Sequence, residues 1–293
     1  MTEPLLLGVD GGGTSCRARL YSLEGKVLGE GKAGSGNPRV GLEIAYANIL
    51  AATRQALQQA QLPESVLAHT YAGLGLAGAA QAHEQQLVLN YPHPFRAVKL
   101  LTDAHIACLG AFAGGDGSIL IIGTGSCGLV AKQGQFELKG GWGFPISDQG
   151  SGAWLGLRLL RAALLAHEGM AEVSALTEQV MQGFEHNPEQ LVAWLNEAKP
   201  KDYAAFAPMV LQYAEQQDPI ARQLLQRQAR EIDIHIAALI AAGSQHCALM
   251  GGLAEPMLPW LSEASRAVLV APQQDALYGA MLLARQAWQE EGQ

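Results

Sequence analysis

Short apolar runs that end in glycine turns dominate the first part of the chain. Alternating apolar and polar positions, bounded by turn residues, predict five strands at residues 5–9, 17–22, 27–33, 67–74 and 97–101. Apolar positions at helical spacing predict two helices, at about 42–61 and 104–112. The second of these helices ends in a glycine-rich break at residues 113–117.

The second part of the chain begins with the same three-strand pattern. Strands are predicted at residues 118–122, 128–132 and 135–139, with a tight turn at Gln133-Gly134. This repeat indicates two related domains, which we place at residues 1–113 and 114–293. The rest of the second domain is predicted to contain helices at 153–166, 173–181, 188–196, 203–216 and 219–242, short strands at 248–250 and 267–270, and a final helix at about 275–290.

Composition disfavours several classes of protein. Apolar residues make up 49% of the 293 residues and charged residues 16%, which is typical of a globular protein with sizeable cores. A net charge of −8 argues against nucleic acid or an anionic membrane as a partner, because both repel a negative surface. The first residues carry no basic segment, and no apolar run approaches the roughly 20 residues of a membrane span. We therefore expect a cytoplasmic protein.

Cysteine and histidine spacing gives no sign of a metal centre. Cys16, Cys108, Cys127 and Cys247 are far apart, so we interpret them as buried apolar residues in a reducing compartment. The eight histidines include no H-E-x-x-H pattern, which argues against a catalytic metal held by imidazoles. A phosphate ligand would instead be held by backbone amides and a bound cation.

The most informative candidate site is the turn after the first strand. Asp10 stands at the carboxyl end of that strand, and Gly11, Gly12, Gly13 and Thr14 follow it directly. Glycines leave backbone N–H groups accessible to phosphate oxygens, and a carboxylate at this edge could hold Mg2+ through water. The alternative is that Asp10 only stabilises the turn through its side chain. The segment lacks the lysine of a P-loop.

A second turn of the same kind, Gly123-Thr124-Gly125-Ser126, follows the first strand of the repeat. By itself it also fits an ordinary strand–turn–strand connection. Together, the two turns suggest one nucleotide held by two related halves of the protein. That arrangement points to phosphoryl transfer.

Two polar residues of the first domain have two interpretations each. Asp103 follows a predicted strand and precedes a helix, so it fits either a helix N-cap or a general base that accepts a proton from an attacking hydroxyl. Asn37 follows Gly34-Ser35-Gly36 and fits either a turn residue or an amide that binds sugar hydroxyls. Spacing alone leaves these interpretations open.

Two more glycine-rich segments lie in the second domain. Residues 140–152 connect a strand to a helix and are too many for a simple turn, so we interpret them as a binding loop. Asp148 in this loop could accept hydrogen bonds from hydroxyls, and Trp142 could simply pack. Gly251-Gly252 marks a close approach of the backbone to either adenine or a helix.

Residues 6–20, 102–105, 122–128 and 140–152 together resemble the N-acetylglucosamine kinase and glucosamine kinase group. That group belongs to the BadF/BadG/BcrA/BcrD ATPase family, within the actin-like ATPase superfamily. The resemblance implies an α/β fold of two ribonuclease-H-like domains with mixed five-stranded sheets facing across a cleft, and a final helix that packs back on the first domain. It also implies ATP and Mg2+ as cofactors, an amino sugar as substrate and a homodimer.

The resemblance also implies roles for individual residues. Asp103 would be the catalytic base on the sugar 6-hydroxyl, and Asp10 would face the metal. The implied nucleotide contacts are Asp10, Gly11, Gly12, Gly13, Thr14, Gly123, Thr124, Gly125, Ser126, Gly251 and Gly252. The implied sugar contacts are Asn37, Asp103, Gly141, Trp142, Gly143 and Asp148.

One departure from the family pattern bears on the substrate. Many relatives carry Asp-Glu-Gly-Ser where this chain has Asp148-Gln149-Gly150-Ser151. The missing carboxylate removes a negative charge beside the sugar pocket, so the preference between an ammonium and an acetamide group at C2 stays open.

Two other functions are compatible with the family. One is an ATPase that activates a dehydratase through an iron–sulfur cluster bridged by cysteines, for which Cys108 and Cys127 are the candidates but lack the expected flanking sequence. The other is a sugar or nucleotide sensor that has lost turnover, which the presence of both Asp10 and Asp103 disfavours.

Overall fold

The computed structural model describes residues 3–292. The strands are β1 Leu5–Gly11, β2 Cys16–Tyr21, β3 Val27–Ala33, β4 Thr70–Leu76, β5 Ala97–Leu101, β6 Gly117–Ile122, β7 Ser126–Lys132, β8 Gln135–Gly140 and β9 Cys247–Met250. The helices are α1 Leu42–Gln59, α2 Ala82–Leu89, α3 Asp103–Ala111, α4 Gly152–His167, α5 Ala175–Gln182, α6 Pro188–Glu197, α7 Pro200–Ala204, α8 Ala207–Glu215, α9 Pro219–Ala241, α10 Ala254–Met257, α11 Glu263–Val268 and α12 Ala276–Glu291. Short 3-10 turns occupy Pro38–Val40, Glu64–His69 and Leu258–Trp260.

The chain divides into two units. The first contains the residues up to Gly117, the hairpin segment Ala131–Phe136 and the residues from Ala271 onward. The second contains Ser118–Val130 and Glu137–Val270. Helix α12 therefore belongs to the unit that holds the beginning of the chain.

The first unit contains a mixed sheet in the order β3-β2-β1-β4-β5. Strand β1 pairs antiparallel with β2 and parallel with β4, which gives the five strands predicted for this domain. Alternate residues of β1 point to opposite faces: Leu7 and Val9 join the core under α1, while Leu6 packs with Met281 of α12. The final helix therefore packs on the first domain, as the resemblance implies.

The backbone of helix α12 packs directly against the backbone of the sheet and of α3. A Cβ atom added at any of four glycines would fall 1.9–2.4 Å from a backbone oxygen, and these are Gly8, Gly73, Gly110 and Gly279. Two of the four lie in strands under α12, and the other two lie at the crossing of α3 and α12. A side chain at these positions would force the helix away from its support, so glycine is required there.

We expect Gly279→Ala to destabilise the first unit, because its Cβ would meet the Ile106 carbonyl oxygen at 1.9 Å. Overpacking of this kind costs about 1–3 kcal/mol, measurable as a loss in the free energy of unfolding by urea titration. Gln286→Ala, at an exposed position of the same helix, is the matched control. Equal stability of the two variants would contradict the close helix crossing.

The second unit contains a sheet in the order β8-β7-β6-β9, in which β9 runs parallel to β6. This sheet has four strands, so the five-stranded prediction is wrong for this unit. A strand was predicted at residues 267–270, but helix α11 occupies the first two of them and Leu269 forms only an isolated bridge with Cys247. The Ser262 hydroxyl accepts a hydrogen bond from the Ser265 N–H at 3.2 Å, and this N-cap starts α11 where the apolar run suggested a strand.

Two helix predictions also differ from the structure. The helix predicted at 203–216 is divided into α7 and α8, because Pro208 lies in the first turn of α8, where its missing N–H costs nothing. Helix α2 was not predicted. Only Val88 of its residues is buried, so the sequence carries no apolar stripe at helical spacing there.

Cysteine burial largely agrees with the prediction. Cys16, Cys108 and Cys247 are buried, whereas Cys127 is half-buried. Burial raises the pKa of Cys16 to about 12 and that of Cys247 to about 11, so both thiols stay protonated at neutral pH. None of the helices among residues 3–292 combines the length and apolar character that crossing a membrane would require.

Candidate active site

The first glycine turn is anchored to the sheet by backbone hydrogen bonds. The Gly12 N–H donates to the Ser15 carbonyl at 2.8 Å, and the Gly36 N–H donates to the Gly12 carbonyl at 3.1 Å. Gly11 and Gly36 are in backbone contact, since a Cβ on Gly36 would fall 2.7 Å from the Gly11 Cα. Gly11 is therefore a packing residue, whereas Gly13 and Thr14 are exposed at the tip of the turn.

Asp10 is held by an ion pair across the hairpin. The antiparallel register places Asp10 opposite Arg17, and the Arg17 Nη2 lies 2.6 Å from the Asp10 Oδ2. The Asp10 side chain is 18% exposed and that of Arg17 is 47% exposed. Sequence reasoning did not identify Arg17, although the predicted β1–β2 hairpin could have indicated the pair.

Asp103 is the first residue of α3 rather than the residue before it. Its Oδ1 accepts a hydrogen bond from the Ala104 N–H at 2.9 Å, so the carboxylate satisfies an amide of the first turn. Thr102 occupies the N-cap position, and its hydroxyl instead forms a hydrogen bond with the His105 Nδ1 at 2.7 Å. Asp103 thus stabilises the start of the helix, as one of its two interpretations required. This role uses the Oδ1 of its carboxylate.

Burial raises the pKa of Asp103, and repulsion from the Asp10 carboxylate raises it further, against the Ala104 hydrogen bond. A raised pKa makes the ionised carboxylate a stronger base.

Asn37 supports its own loop. Its Oδ1 accepts a hydrogen bond from the Arg39 N–H at 2.9 Å, and a Cβ on Gly78 would lie 2.3 Å from the same oxygen. The hydrogen bond to the Asn37 Oδ1 fits the interpretation of Asn37 as a turn residue. The Nδ2 group is the atom that a sugar hydroxyl would use.

The second glycine turn is tied to the start of α4. The Gly152 N–H donates to the Gly123 carbonyl at 2.8 Å, and the Ala153 N–H donates to the Thr124 carbonyl at 3.1 Å. The buried Ser126 hydroxyl donates to the Gln149 carbonyl at 2.8 Å. A phosphate contact predicted for Ser126 would therefore use its backbone or follow a rearrangement.

The connection from β8 to α4, residues 141–151, is called the long loop below. Gly141, Gly143, Asp148 and Gly150 in it all have a positive φ. Trp142 is 81% exposed and Ile146 is 89% exposed, whereas Asp148 is buried. The exposed apolar side chains and the buried carboxylate are the reverse of what a surface loop without a ligand needs. Sequence reasoning did not identify Ile146.

Three glycines stand out because the fold does not require glycine there. Among the residues that the structure describes, Gly13, Gly123 and Gly252 have a φ outside the left-handed region and no atom within 4 Å of an added Cβ. All three were predicted as nucleotide contacts. Their neighbour Gly251 differs, since its φ is +96° and an added Cβ would lie 2.3 Å from the Ile122 carbonyl oxygen. Open space above an ordinary backbone is what close approach of a phosphate requires.

Comparisons with known proteins find similarity to kinases of amino sugars. Glucosamine kinase GspK of Vibrio cholerae serotype O1 is 42% identical over 278 residues, which is 95% of each chain. An N-acetylmuramic acid/N-acetylglucosamine kinase of Clostridium acetobutylicum is 25% identical over 80% of this chain and 79% of its own. A crystal structure from Chromobacterium violaceum, assigned as an N-acetylglucosamine kinase, has a TM-score of 0.86 at 34% identity, covering 96% of this chain and 99% of that one.

The match to a family model covers nearly the whole chain, and this extent establishes the family. The model of the BadF/BadG/BcrA/BcrD ATPase family matches residues 7–284, which includes both units and helix α12 up to its last two turns. The chain belongs to the BadF/BadG/BcrA/BcrD ATPase family.

Proposed function

We propose that this chain is an ATP-dependent kinase that transfers the γ-phosphoryl group to the 6-hydroxyl of an amino sugar, N-acetylglucosamine or glucosamine. The kinase relatives, which cover most of the chain, support the reaction class. The observation that carries the proposal is the openness of Gly13, Gly123 and Gly252, the glycines that the fold itself does not need.

In the proposed reaction, the Asp103 carboxylate accepts the proton of the 6-hydroxyl. The sugar oxygen then forms its bond to the γ-phosphorus while the bond to the ADP oxygen breaks. Burial keeps the Asp103 carboxylate poorly solvated, and its raised pKa strengthens it as a base. The Ala104 N–H fixes one carboxylate oxygen at 2.9 Å, which leaves the other to orient the hydroxyl.

The residues present fit ATP and Mg2+. Backbone N–H groups of the two glycine turns would contact the phosphates, and Asp10 would hold the cation together with phosphate oxygens. Bound Mg2+ would neutralise charge on the triphosphate. Arg17 fixes the Asp10 carboxylate and offsets part of its charge. No group of three or more metal-ligating side chains occurs among the described residues, which is consistent with a cation held mainly by substrate and water.

The long loop would contact the sugar. The exposed Trp142 offers a flat apolar surface for a sugar ring, and Gly141, Gly143 and Asp148 lie in the same loop. Asn37 is proposed to bind a sugar hydroxyl through its side-chain amide. The cytoplasm, where ATP is available, and a homodimer are part of the same proposal.

The burial of Cys108 argues against the alternative function, an activator of a dehydratase. This cysteine is buried in α3, whereas a cluster bridged between subunits needs its ligands at the surface.

The direct test measures ADP release with Mg-ATP against a panel of hexoses and a control without sugar. We expect turnover that depends on an amino sugar, with the phosphate on O6 of the product by NMR. Equal ADP release with and without every sugar would rule out the kinase.

Gln149 provides a test of specificity at C2. Its Nε2 donates to the Ile146 carbonyl at 3.1 Å, and a glutamate could not make this bond. We expect Gln149→Glu to raise the ratio of kcat/KM for glucosamine over N-acetylglucosamine by about 1.5- to 5-fold, the effect of an exposed ion pair. Gln149→Ala removes the same hydrogen bond without adding charge, so it should leave the ratio unchanged. A ratio that shifts equally in both variants would assign the effect to loop geometry.

A further inference from the structure

The second glycine turn and the long loop form one hydrogen-bonded assembly within the second unit. The Ser126 hydroxyl joins the turn to the Gln149 carbonyl, and the Gly152 N–H joins the start of α4 to the Gly123 carbonyl. Gln228 of α9 supports the assembly, since its Nε2 donates to the Gly150 carbonyl at 2.8 Å. These hydrogen bonds join the turn directly to the loop and to the start of α4.

Asp148 lies where the two segments meet. Its side chain is buried, with the residue 8% exposed, and its φ is +66°. A Cβ on Gly125 would fall 2.7 Å from the Asp148 Oδ2, so the carboxylate lies directly against the backbone of the turn. The backbone N–H groups of Ser126, Gly143 and Phe144 also interact with this carboxylate and oppose the effect of burial on its pKa.

A buried carboxylate is costly unless hydrogen bonds compensate it. Asp148 belongs to the long loop, and its carboxylate lies against Gly125 of the second glycine turn, so this one side chain joins the two segments. A carboxylate can accept about four hydrogen bonds and donates none when ionised, which suits it to join several amides.

We propose that Asp148 is a positioning residue that couples nucleotide binding at the second glycine turn to sugar binding at the long loop. The inference rests on the proposed function, because it assigns the turn to phosphate and the loop to sugar. Phosphate binding then favours the arrangement of Gly143 and Phe144 that receives the sugar. By linkage, sugar binding raises nucleotide affinity by the same factor.

This role differs measurably from a direct contact between Asp148 and the sugar. A residue that only binds sugar hydroxyls affects the sugar KM and leaves nucleotide affinity without sugar unchanged. A residue that also holds the turn affects nucleotide affinity even when no sugar is present.

The test variant is Asp148→Asn. Asparagine keeps the shape and tolerates a positive φ, but one carboxylate oxygen becomes an NH2 group that cannot accept hydrogen bonds from backbone amides. Isothermal titration calorimetry would measure the Kd of Mg-ADP without sugar and with saturating N-acetylglucosamine or glucosamine. We expect the Kd without sugar to rise about 5- to 100-fold, as for buried donors left without acceptors, and the gain in affinity produced by sugar to fall toward one.

Asp218→Asn is the matched control. Asp218 is likewise a buried carboxylate, 7% exposed, and it accepts hydrogen bonds from the backbone N–H groups of Ile220 and Ala221 in α9 and of Leu176 in α5. It should lower the free energy of unfolding and leave the Mg-ADP Kd unchanged. Equal weakening of Mg-ADP binding in both variants would assign the effect to general destabilisation and overturn the coupling role.

A second variant, Ser126→Ala, removes the other connection while keeping the backbone N–H. We expect the coupling factor, by which sugar raises Mg-ADP affinity, to fall in this variant too, but by less than in Asp148→Asn. This variant provides the test if Asp148→Asn does not fold. Unchanged Mg-ADP affinity in Asp148→Asn with a raised sugar KM, or an unchanged coupling factor in Ser126→Ala, would overturn the proposal. Failure of the proposed function is a separate result, because it requires that the wild-type protein show no sugar-dependent ADP release.

Discussion

Asp103→Asn should lower kcat by about 10²- to 10⁴-fold, the contribution typical of a positioned general base. The amide cannot accept the proton of the 6-hydroxyl at neutral pH. It keeps an oxygen that can accept the Ala104 hydrogen bond, so α3 should begin as it does now. Mg-ADP affinity should be retained, because the lost group acts on the hydroxyl. Steady-state kinetics with calorimetric nucleotide binding checks both parts.

The same variant should be more stable than the wild type. Burial raises the pKa of Asp103, so the folded state disfavours its ionised form. The wild-type free energy of unfolding therefore includes a penalty above that pKa, which disappears as the pH falls through the raised pKa toward its ordinary range. Asp103→Asn should remove the penalty at neutral pH. Unchanged kcat would exclude Asp103 as the base, and lower stability would indicate that its carboxylate serves mainly α3.

Gly13→Ala and Gly123→Ala should weaken nucleotide binding and leave the fold intact. An alanine Cβ meets no protein atom within 4 Å at either position, and neither φ lies in the left-handed region. The free energy of unfolding should therefore stay the same or increase slightly, as for other glycine replacements at compatible sites. The methyl group would occupy the space where phosphate approaches, so we expect about a 5- to 150-fold rise in the Mg-ATP Kd, the equivalent of about 1–3 kcal/mol of overpacking.

Gly183→Ala serves as the control for both substitutions. Gly183 ends α5 with a φ of −62°, which alanine adopts readily, and it lies outside every candidate site. It should change neither stability nor nucleotide affinity appreciably. Tight nucleotide binding by Gly13→Ala and Gly123→Ala would show that the open faces of these turns do not receive phosphate.

The sequence predicted those elements whose local pattern and packing agree. The strand at Val27–Ala33 and that at Ala97–Leu101 have the predicted bounds, because turn residues flank both segments. The turn predicted at Gln133-Gly134 is present, and both of its residues have a positive φ. The strand predicted at residues 267–270 was wrong, because the N-cap at Ser262 starts a helix that includes the first half of this apolar run.

The site was predictable in its glycines and less so in its side chains. Gly13, Gly123 and Gly252 follow strands, and their predicted nucleotide contacts come from that position together with the family resemblance. The ion pair between Asp10 and Arg17 depends on strand register, and the burial of Asp148 depends on a loop that folds over its own carboxylate. The predicted β1–β2 hairpin could have indicated the ion pair, whereas the burial of Asp148 is not visible in residue spacing because it depends on backbone positions set by the surrounding fold.

The place of α12 in the first unit has a consequence for biosynthesis. Strands β1 and β4 lack one of their supporting helices until the entire second unit has been translated. The second unit is continuous in sequence apart from a hairpin tip, so it can finish folding on the ribosome while the N-terminal sheet still exposes the apolar face that receives Met281. The first unit can therefore complete its fold only after the second unit has been translated, which departs from the usual order of domain folding during translation.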